Sequence, residues 1–168
     1  IAQTDIMSLE LEEFYKTLPM FFNAVYGQGS TTQKCDCGGL ARGIMAMLEH
    51  PINYENGVAG EGTWTDPSTN PPTTHTGRKT HRMWTATGEG SGTVVQDRSK
   101  SAINTSNLLP GDVIFFNTKE PWGTVNHVAI YVGGNIIIET NGKNDTVHFE
   151  VLDEQVNYIV GVKRYTDM

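Results

Sequence analysis

The sequence predicts an α+β fold in which N-terminal helices pack on a central antiparallel β-sheet. Three observations carry that expectation. Apolar residues recur at helical spacing over the first 50 residues, and short β-rich runs separated by turn residues follow from Leu108 onward. Neither an internal repeat nor a second domain is visible in the 168 residues. That length fits one domain with a real hydrophobic core.

The elements follow in chain order. Residues 8 to about 26 read as helical, with Ser8 as N-cap and Glu10, Glu12 and Glu13 complementing the positive helix end. Leu11, Phe14, Tyr15 and Leu18 share a face, and Pro19 breaks or restarts the helix before Phe21, Phe22 and Val25. Gly27, Gly29, Ser30, Thr31 and Thr32 then form a loop that delivers Asp36 and Cys37 to the start of a second helix. Leu40, Ile44, Met47 and Leu48 fall on one face of that helix. Glu49 and His50 occupy its last turn, and Pro51 marks the stop.

Residues 51–107 are expected to form a long insertion loop rich in Gly, Pro and Thr, with a short helix only at about 78–86. A loop of that length is usually functional or mobile. Its tryptophans, Trp64 and Trp84, point to a binding surface, or alternatively pin the loop to the core. Regular structure resumes at the turn Leu108-Leu109-Pro110-Gly111-Asp112 and the buried strand Val113-Ile114-Phe115-Phe116. A turn at Glu120-Pro121-Trp122-Gly123 leads to a strand from His127 to Val132. Gly133-Gly134-Asn135 then reverses the chain into a strand from Ile136 to Thr140. Residues 146–152 and 158–163 read as two more strands.

Composition removes several function classes. A net charge of −7 argues against nucleic acid as the main partner and against adhesion to an anionic surface. No apolar run reaches the roughly 18 residues that a membrane span needs, and no signal peptide is visible. A start at Ile1 rather than Met is expected of a processed or truncated chain. Two cysteines are too few for a disulfide framework, and a bridge between Cys35 and Cys37 would close a strained ring. No CxxC or HxxxH spacing supports zinc, so no metal site is expected.

Cys37 at a helix start would have its thiolate favoured by unpaired N–H groups and by the helix dipole. The same position also suits a small buried residue, and that stretch alone leaves both readings open. His127 opens a strand at the sheet rim, where an imidazole can face a helix start, and a Cys–His pair makes a thiolate nucleophile. A turn centred on Gly133 would set His127 directly opposite Glu139, and Ala129 opposite Ile137 toward the core. Glu139 would then orient the imidazole, with Asn141 and Asn126 as rivals for that place. His50, His75, His81 and His148 read as surface or loop residues.

Three segments resemble the NlpC-type papain-like cysteine peptidases, which are bacterial and phage peptidoglycan hydrolases. They are Asp36-Cys37-Gly38-Gly39-Leu40, Leu109-Pro110-Gly111-Asp112-Val113-Ile114-Phe115-Phe116, and His127-Val128-Ala129-Ile130-Tyr131-Val132-Gly133. The family pattern has Asp-Cys-Ser-Gly-Leu opening a helix, a Leu-x-Pro-Gly-Asp-Leu-x-Phe-Phe strand, and His-Val-Gly-Ile-Tyr-x-Gly. The likeness covers about residues 20–48 and 108–163, and the middle loop lies outside it.

The resemblance implies a single catalytic domain over 1–168, with Cys37 as nucleophile, His127 as base and Glu139 as the third polar residue. Gly38 replaces the family's serine, Glu139 stands where histidine is commonest, and Ala24 stands where a cleft tyrosine is frequent. Tyr26, Asp36, Gly38, Trp64, Trp84 and Asn126 are the substrate-binding candidates. The implied substrate is a peptidoglycan stem peptide, the family's usual bond joining D-γ-glutamate to a diamino acid, and no cofactor is expected. Such a substrate places the protein outside the cytoplasm, whether secreted, periplasmic, injected or phage-borne. A cognate inhibitor or immunity protein is a further candidate partner. A cysteine transferase or deamidase on the same fold and a non-catalytic wall-binding module are the alternatives.

Overall fold

The computed structural model of the chain describes residues 3–60, 63–66, 69–118, 124–142 and 146–166. Helix α1 (Gln3–Thr17) runs into a 3-10 turn, Leu18–Phe21. The helix starts ahead of Ser8, which is therefore interior and not a cap. Pro19 falls in the first positions of the 3-10 turn, where its missing N–H has no partner to lose. Phe14, Leu18 and Phe21 are buried. Tyr15 is exposed, yet its hydroxyl donates to Val132 O at 2.7 Å and ties α1 to the sheet.

The chain does not stay helical to Tyr26. Strand β1 (Val25–Tyr26) pairs in parallel with β2 (Lys34–Cys35), and the loop between them brings the chain back to start α2 (Cys37–Met47). Helix α2 buries Leu40, Ala41, Ile44 and Met45, whereas Met47, expected on that face, is exposed. It ends ahead of Pro51, with Glu49 in the left-handed region and His50 N–H bonded to Met45 O at 2.9 Å.

Residues 51–107 hold more structure than a loop. Strands β3 (Thr63–Asp66) and β4 (Thr73–Thr76) form a hairpin, and helix α3 (Lys79–Thr85) falls where a short helix is expected. Strand β5 (Thr93–Asp97) joins the main sheet, and Thr105–Asn107 is a 3-10 turn. The hairpin is rich in threonine and carries no alternation of apolar residues, so no periodicity announces it.

Strands β6 (Val113–Phe116), β7 (His127–Gly133), β8 (Ile136–Glu139), β9 (His148–Val151) and β10 (Ile159–Arg164) complete the sheet, with a 3-10 stretch at Leu152–Tyr158. The order is β5-β10-β6-β7-β8-β9, and every pairing is antiparallel. The turn expected at Glu120–Gly123 lies outside the described residues. Alternate residues feed two cores: Val113, Phe115, Val128, Ile130 and Ile138 pack with α1 and α2. Ile114, Phe116, Ala129, Ile137 and Ile159 meet Leu108 and Leu152 on the other face. Ala129 and Ile137 therefore point away from the helices.

Asp112 explains the turn that precedes β6. Its carboxylate accepts from Leu109 N–H at 2.9 Å and takes Arg164 through two bonds of 2.8 and 2.9 Å, joining the turn to the end of β10. Lys163, in the same strand, is 1% exposed and donates to the carbonyls of Met83, Ala86 and Ser91 at 2.8–2.9 Å. It fastens the end of α3 to the sheet.

Candidate active site

Cys37 is the first residue of α2, so it sits among first-turn N–H groups that have no helical acceptor. The Asp36 carboxylate caps the helix by accepting from Gly39 N–H at 2.6 Å. Glycine is required at 39: a Cβ there would lie 1.6 Å from Gly29 O and 2.8 Å from Asp36 Oδ1. The preceding loop thus closes directly onto the helix head. At Gly38 a Cβ would meet Arg42 Nη1 at 2.9 Å, so the glycine leaves that guanidinium room. Cys35 is 1% exposed, and burial, with the charges of Asp36 and Cys37, pushes its thiol up to about 12.

Cys37 is close enough to His127 for the thiol to help raise the ring. On the ring's other side, His127 Nε2 lies 3.0 Å from Glu139 Oε1, which leaves Nδ1 for the thiol. Burial works against a charged ring, but Cys37 and the hydrogen-bonded Glu139 outweigh it and raise His127 to about 9. Burial likewise works against the Glu139 carboxylate. His127, Gln155 and His148 nevertheless hold its carboxyl below the ordinary value.

Glu139 reaches His127 by a route other than the expected one. The hairpin pairs Ile130 with Ile138 and Tyr131 with Ile137, and a bulge lies between Tyr131 and Gly133. The turn is thus displaced from Gly133, and continuing that register sets Asn141 across from His127. A two-residue displacement keeps the same face, so Glu139 meets the ring diagonally. Asn141 instead donates to Glu139 Oε2 at 3.4 Å, and Gln155 donates to Oε1 at 3.4 Å. Asn126 accepts from Thr118 N–H at 3.0 Å, away from the ring.

Two histidines read from the sequence as surface or loop residues belong to this region. His81 Nδ1 accepts from Val125 N–H at 3.0 Å, and Thr80 donates to Val125 O at 3.0 Å, so α3 clamps the backbone just ahead of His127. Burial lowers His81, as an acceptor ring requires. His148 lies directly across from Glu139 in the β8–β9 pairing, with Nε2 3.3 Å from Oε2. Nothing in the sequence marks that partner, because residues 140–147 between the strands fix no register. His50 pairs with Glu10, and the His75 side chain lies outside the described residues.

A cleft of about 390 Å³ opens beside Cys37, and Tyr26, Asp36, Gly38 and Asn126 are among the residues that line it. The expectation for Trp84 is corrected: its ring packs on Phe115 at 5.4 Å and touches the main core. It also fills the space above Gly161, where a Cβ would lie 2.1 Å from the indole. Trp84 thus pins α3 to the sheet. Trp64 stands in β3, and its side chain lies outside the described ones. Among the described residues, no group of three or more His, Cys, Asp or Glu is arranged to hold a metal, and no helix is long and apolar enough to cross a membrane.

Residues 24–163 match the NlpC/P60 family. The fold is similar to that of an NlpC/P60 family protein from Bacillus cereus, with 20% identity and a TM-score of 0.58 over 92% of this chain and 40% of that one. It is also similar to the P60 domain of an antigen from M. avium subspecies paratuberculosis, with 15% identity and a TM-score of 0.56 over 96% and 98%. The peptidoglycan hydrolase RipB from Mycobacterium tuberculosis gives 14% identity and a TM-score of 0.58 over 100% and 70%. At these identities the likeness is one of fold, and the chain spans less than half the length of the Bacillus cereus protein. No curated protein sequence matches the chain.

Proposed function

The chain belongs to the NlpC/P60 family, and from that membership we propose that it is a cysteine peptidase hydrolysing amide bonds in peptidoglycan stem peptides. The observation that supports this best is the continuous line from Cys37 at the head of α2 to His127 and on to Glu139. In this reading the residues act as one catalytic domain, and the substrate lies outside the cytoplasm.

The Cys37 thiolate attacks the amide carbonyl, forming the C–S bond while charge collects on oxygen. In this reading the Cys37 N–H at the helix head donates to that oxyanion. Imidazolium His127 gives its proton to the nitrogen as the C–N bond breaks, and the amine leaves. Water then attacks the thioester, His127 takes its proton, and the carboxylate departs as the thiolate is restored. Glu139 holds the ring in place and stabilises its charged form. Asp36, Tyr26 and Asn126 contact the substrate from the cleft wall.

Purified sacculi incubated with the protein and analysed by mass spectrometry test this reading. Hydrolysis creates one new amine and one new carboxylate per cut within a stem peptide, and Cys37→Ala produces neither. Transfer to an added amine, or ammonia release without chain cleavage, would assign the same dyad to a transferase or deamidase.

A further inference from the structure

Strand β9 closes one side of the main sheet, and among the described residues no strand lies beyond it. Its pairing with β8 is regular and sets Glu139 across from His148 and Ile136 across from Val151. Leu152, the next residue in that register, donates its N–H to Asn135 O at 2.9 Å. An antiparallel ladder alternates, so Glu150 and His148 also bond inward to β8, while Phe149 turns its N–H and C=O outward. Phe149 and Val151 are 49% and 48% exposed, whereas Val147 is buried with the main core. Phe22 meets the Phe149 ring edge-on at 5.7 Å, which fixes the ring but leaves half of it uncovered.

The exposed edge has a symmetric chemistry. Residues 147–151 read Val-His-Phe-Glu-Val, so an apolar pair and an imidazole–carboxylate pair flank Phe149. Two such strands, antiparallel about a two-fold axis at Phe149, set Phe149 against Phe149 and each His148 against Glu150 of the other copy. Val147 then faces Val151, and outward backbone groups meet outward backbone groups, as the ladder requires. Moving the axis by one residue sets Glu150 against Glu150 or His148 against His148. The chemistry thus selects one register.

We propose that β9 is a self-association edge, at which a second copy of this chain pairs across Phe149 and joins the two six-stranded sheets into one. The same patch serves both copies, so the contact closes as a dimer and leaves this edge covered. It brings Glu150 of the second copy to His148, whose Nε2 lies 3.3 Å from Glu139 Oε2. The interface therefore adjoins the site, but the inference does not depend on what the site cleaves.

Sedimentation equilibrium reads the association. Physiological salt largely screens the repulsion between two chains of net charge −7. A monomer–dimer equilibrium with a Kd of about 100 μM should appear, in the range of small transient interfaces. Glu150→Lys, at an exposed position, removes both cross-strand carboxylates at once and should weaken the dimer about tenfold. A chain that stays monomeric at about 1 mM, or a dimer that Glu150→Lys leaves unchanged, overturns the proposal.

Crosslinking reads the register. In a Cys37→Ala background, where buried Cys35 does not compete, Phe149→Cys places two thiols opposite each other across the axis. Facing residues of a hydrogen-bonded antiparallel pair have Cα atoms about 5.5 Å apart, within disulfide reach. Val151→Cys introduces a thiol at an equally exposed position that faces Val147 of the other copy instead. Oxidation with diamide should trap Phe149→Cys as a disulfide dimer and leave Val151→Cys monomeric. Equal yields from the two variants, or none from either, overturn the pairing even if the protein associates.

Discussion

His127 Nε2 and Glu139 Oε1 are 3.0 Å apart, and both side chains are almost wholly shielded from water. An imidazole bonded to a buried carboxylate is favoured in its charged form, because the ion pair offsets the desolvation that each partner would suffer alone. Any thiolate at Cys37 therefore faces an imidazolium over most of the accessible pH range.

The alkaline limb of the rate profile reads this pair. With His127 raised to about 9, activity that depends on imidazolium should persist through neutral pH and fall as pH rises through that value. Glu139→Gln keeps size and an acceptor but loses the charge, so the limb should move to lower pH. Glu139→Ala loses orientation as well and should reduce turnover about 10- to 1,000-fold, roughly 1.4 to 4 kcal/mol. The same linkage acts on stability. A raised histidine contributes fully below its unfolded value of about 6.5 and loses that contribution as pH passes its folded one. Thermal melts between pH 7 and 10 should therefore fall less steeply in Glu139→Gln, and an unmoved limb in both variants would remove Glu139 from the mechanism.

His148 should act in the opposite direction. Its Nδ1 lies 2.7 Å from Thr146 O, a group that only accepts, so Nδ1 carries a proton. Its Nε2 faces Glu139 Oε2 at 3.3 Å and Glu150 Oε1 at 3.5 Å, and only a protonated nitrogen bonds favourably to either carboxylate. Removing that cation in His148→Gln leaves more of the Glu139 charge for His127. The alkaline limb should then move to higher pH, with turnover reduced only a few-fold. A packing defect alone would change rate without this displacement, so pH profiles of the two variants distinguish the accounts.

The helix head that carries Cys37 is legible in the sequence because capping is local: Asp36, Gly38 and Gly39 state it within four residues. Register is less local. The bulge at Tyr131/Gly133 moves the turn, yet a displacement of two residues preserves the face, so Glu139 is the right partner for His127 for a partly wrong reason. His148, Gln155 and His81 were not legible, because each reaches the site through a tertiary contact across a segment of no periodicity. Trp84 misleads for a related reason: an aromatic in a Gly- and Pro-rich stretch looks exposed until the sheet beneath it is known.

The two thiols should differ sharply towards alkylating reagents. Cys35 is buried with its thiol pushed up to about 12, while Cys37 opens on the cleft. Brief treatment of the native protein with iodoacetamide should add one label, located at Cys37 by peptide mapping, and abolish activity in proportion. Cys35→Ser should keep most of the activity. A label at Cys35, or activity that survives full labelling of Cys37, would overturn the choice of nucleophile.

The last prediction concerns Lys163, which is far from the thiol in sequence and acts on the site through α3. Its ammonium is buried under three carbonyls, those of Met83, Ala86 and Ser91, and burial pulls it down to about 8. Lys163→Met removes the unfavourable burial of a charge but leaves three inward-facing acceptors without a donor. Each buried acceptor left unpaired costs about 1–3 kcal/mol, and the relief of desolvation offsets part of that sum. The net loss should be about 2–4 kcal/mol. Because α3 also clamps Val125 through Thr80 and His81, a loosened α3 should misplace His127. Hydrogen exchange at residues 80–91 should rise in the variant, and kcat should fall more than KM changes. Chemical denaturation that finds Lys163→Met as stable as the unaltered chain, with exchange at 80–91 unchanged, would show that the cage does not hold α3.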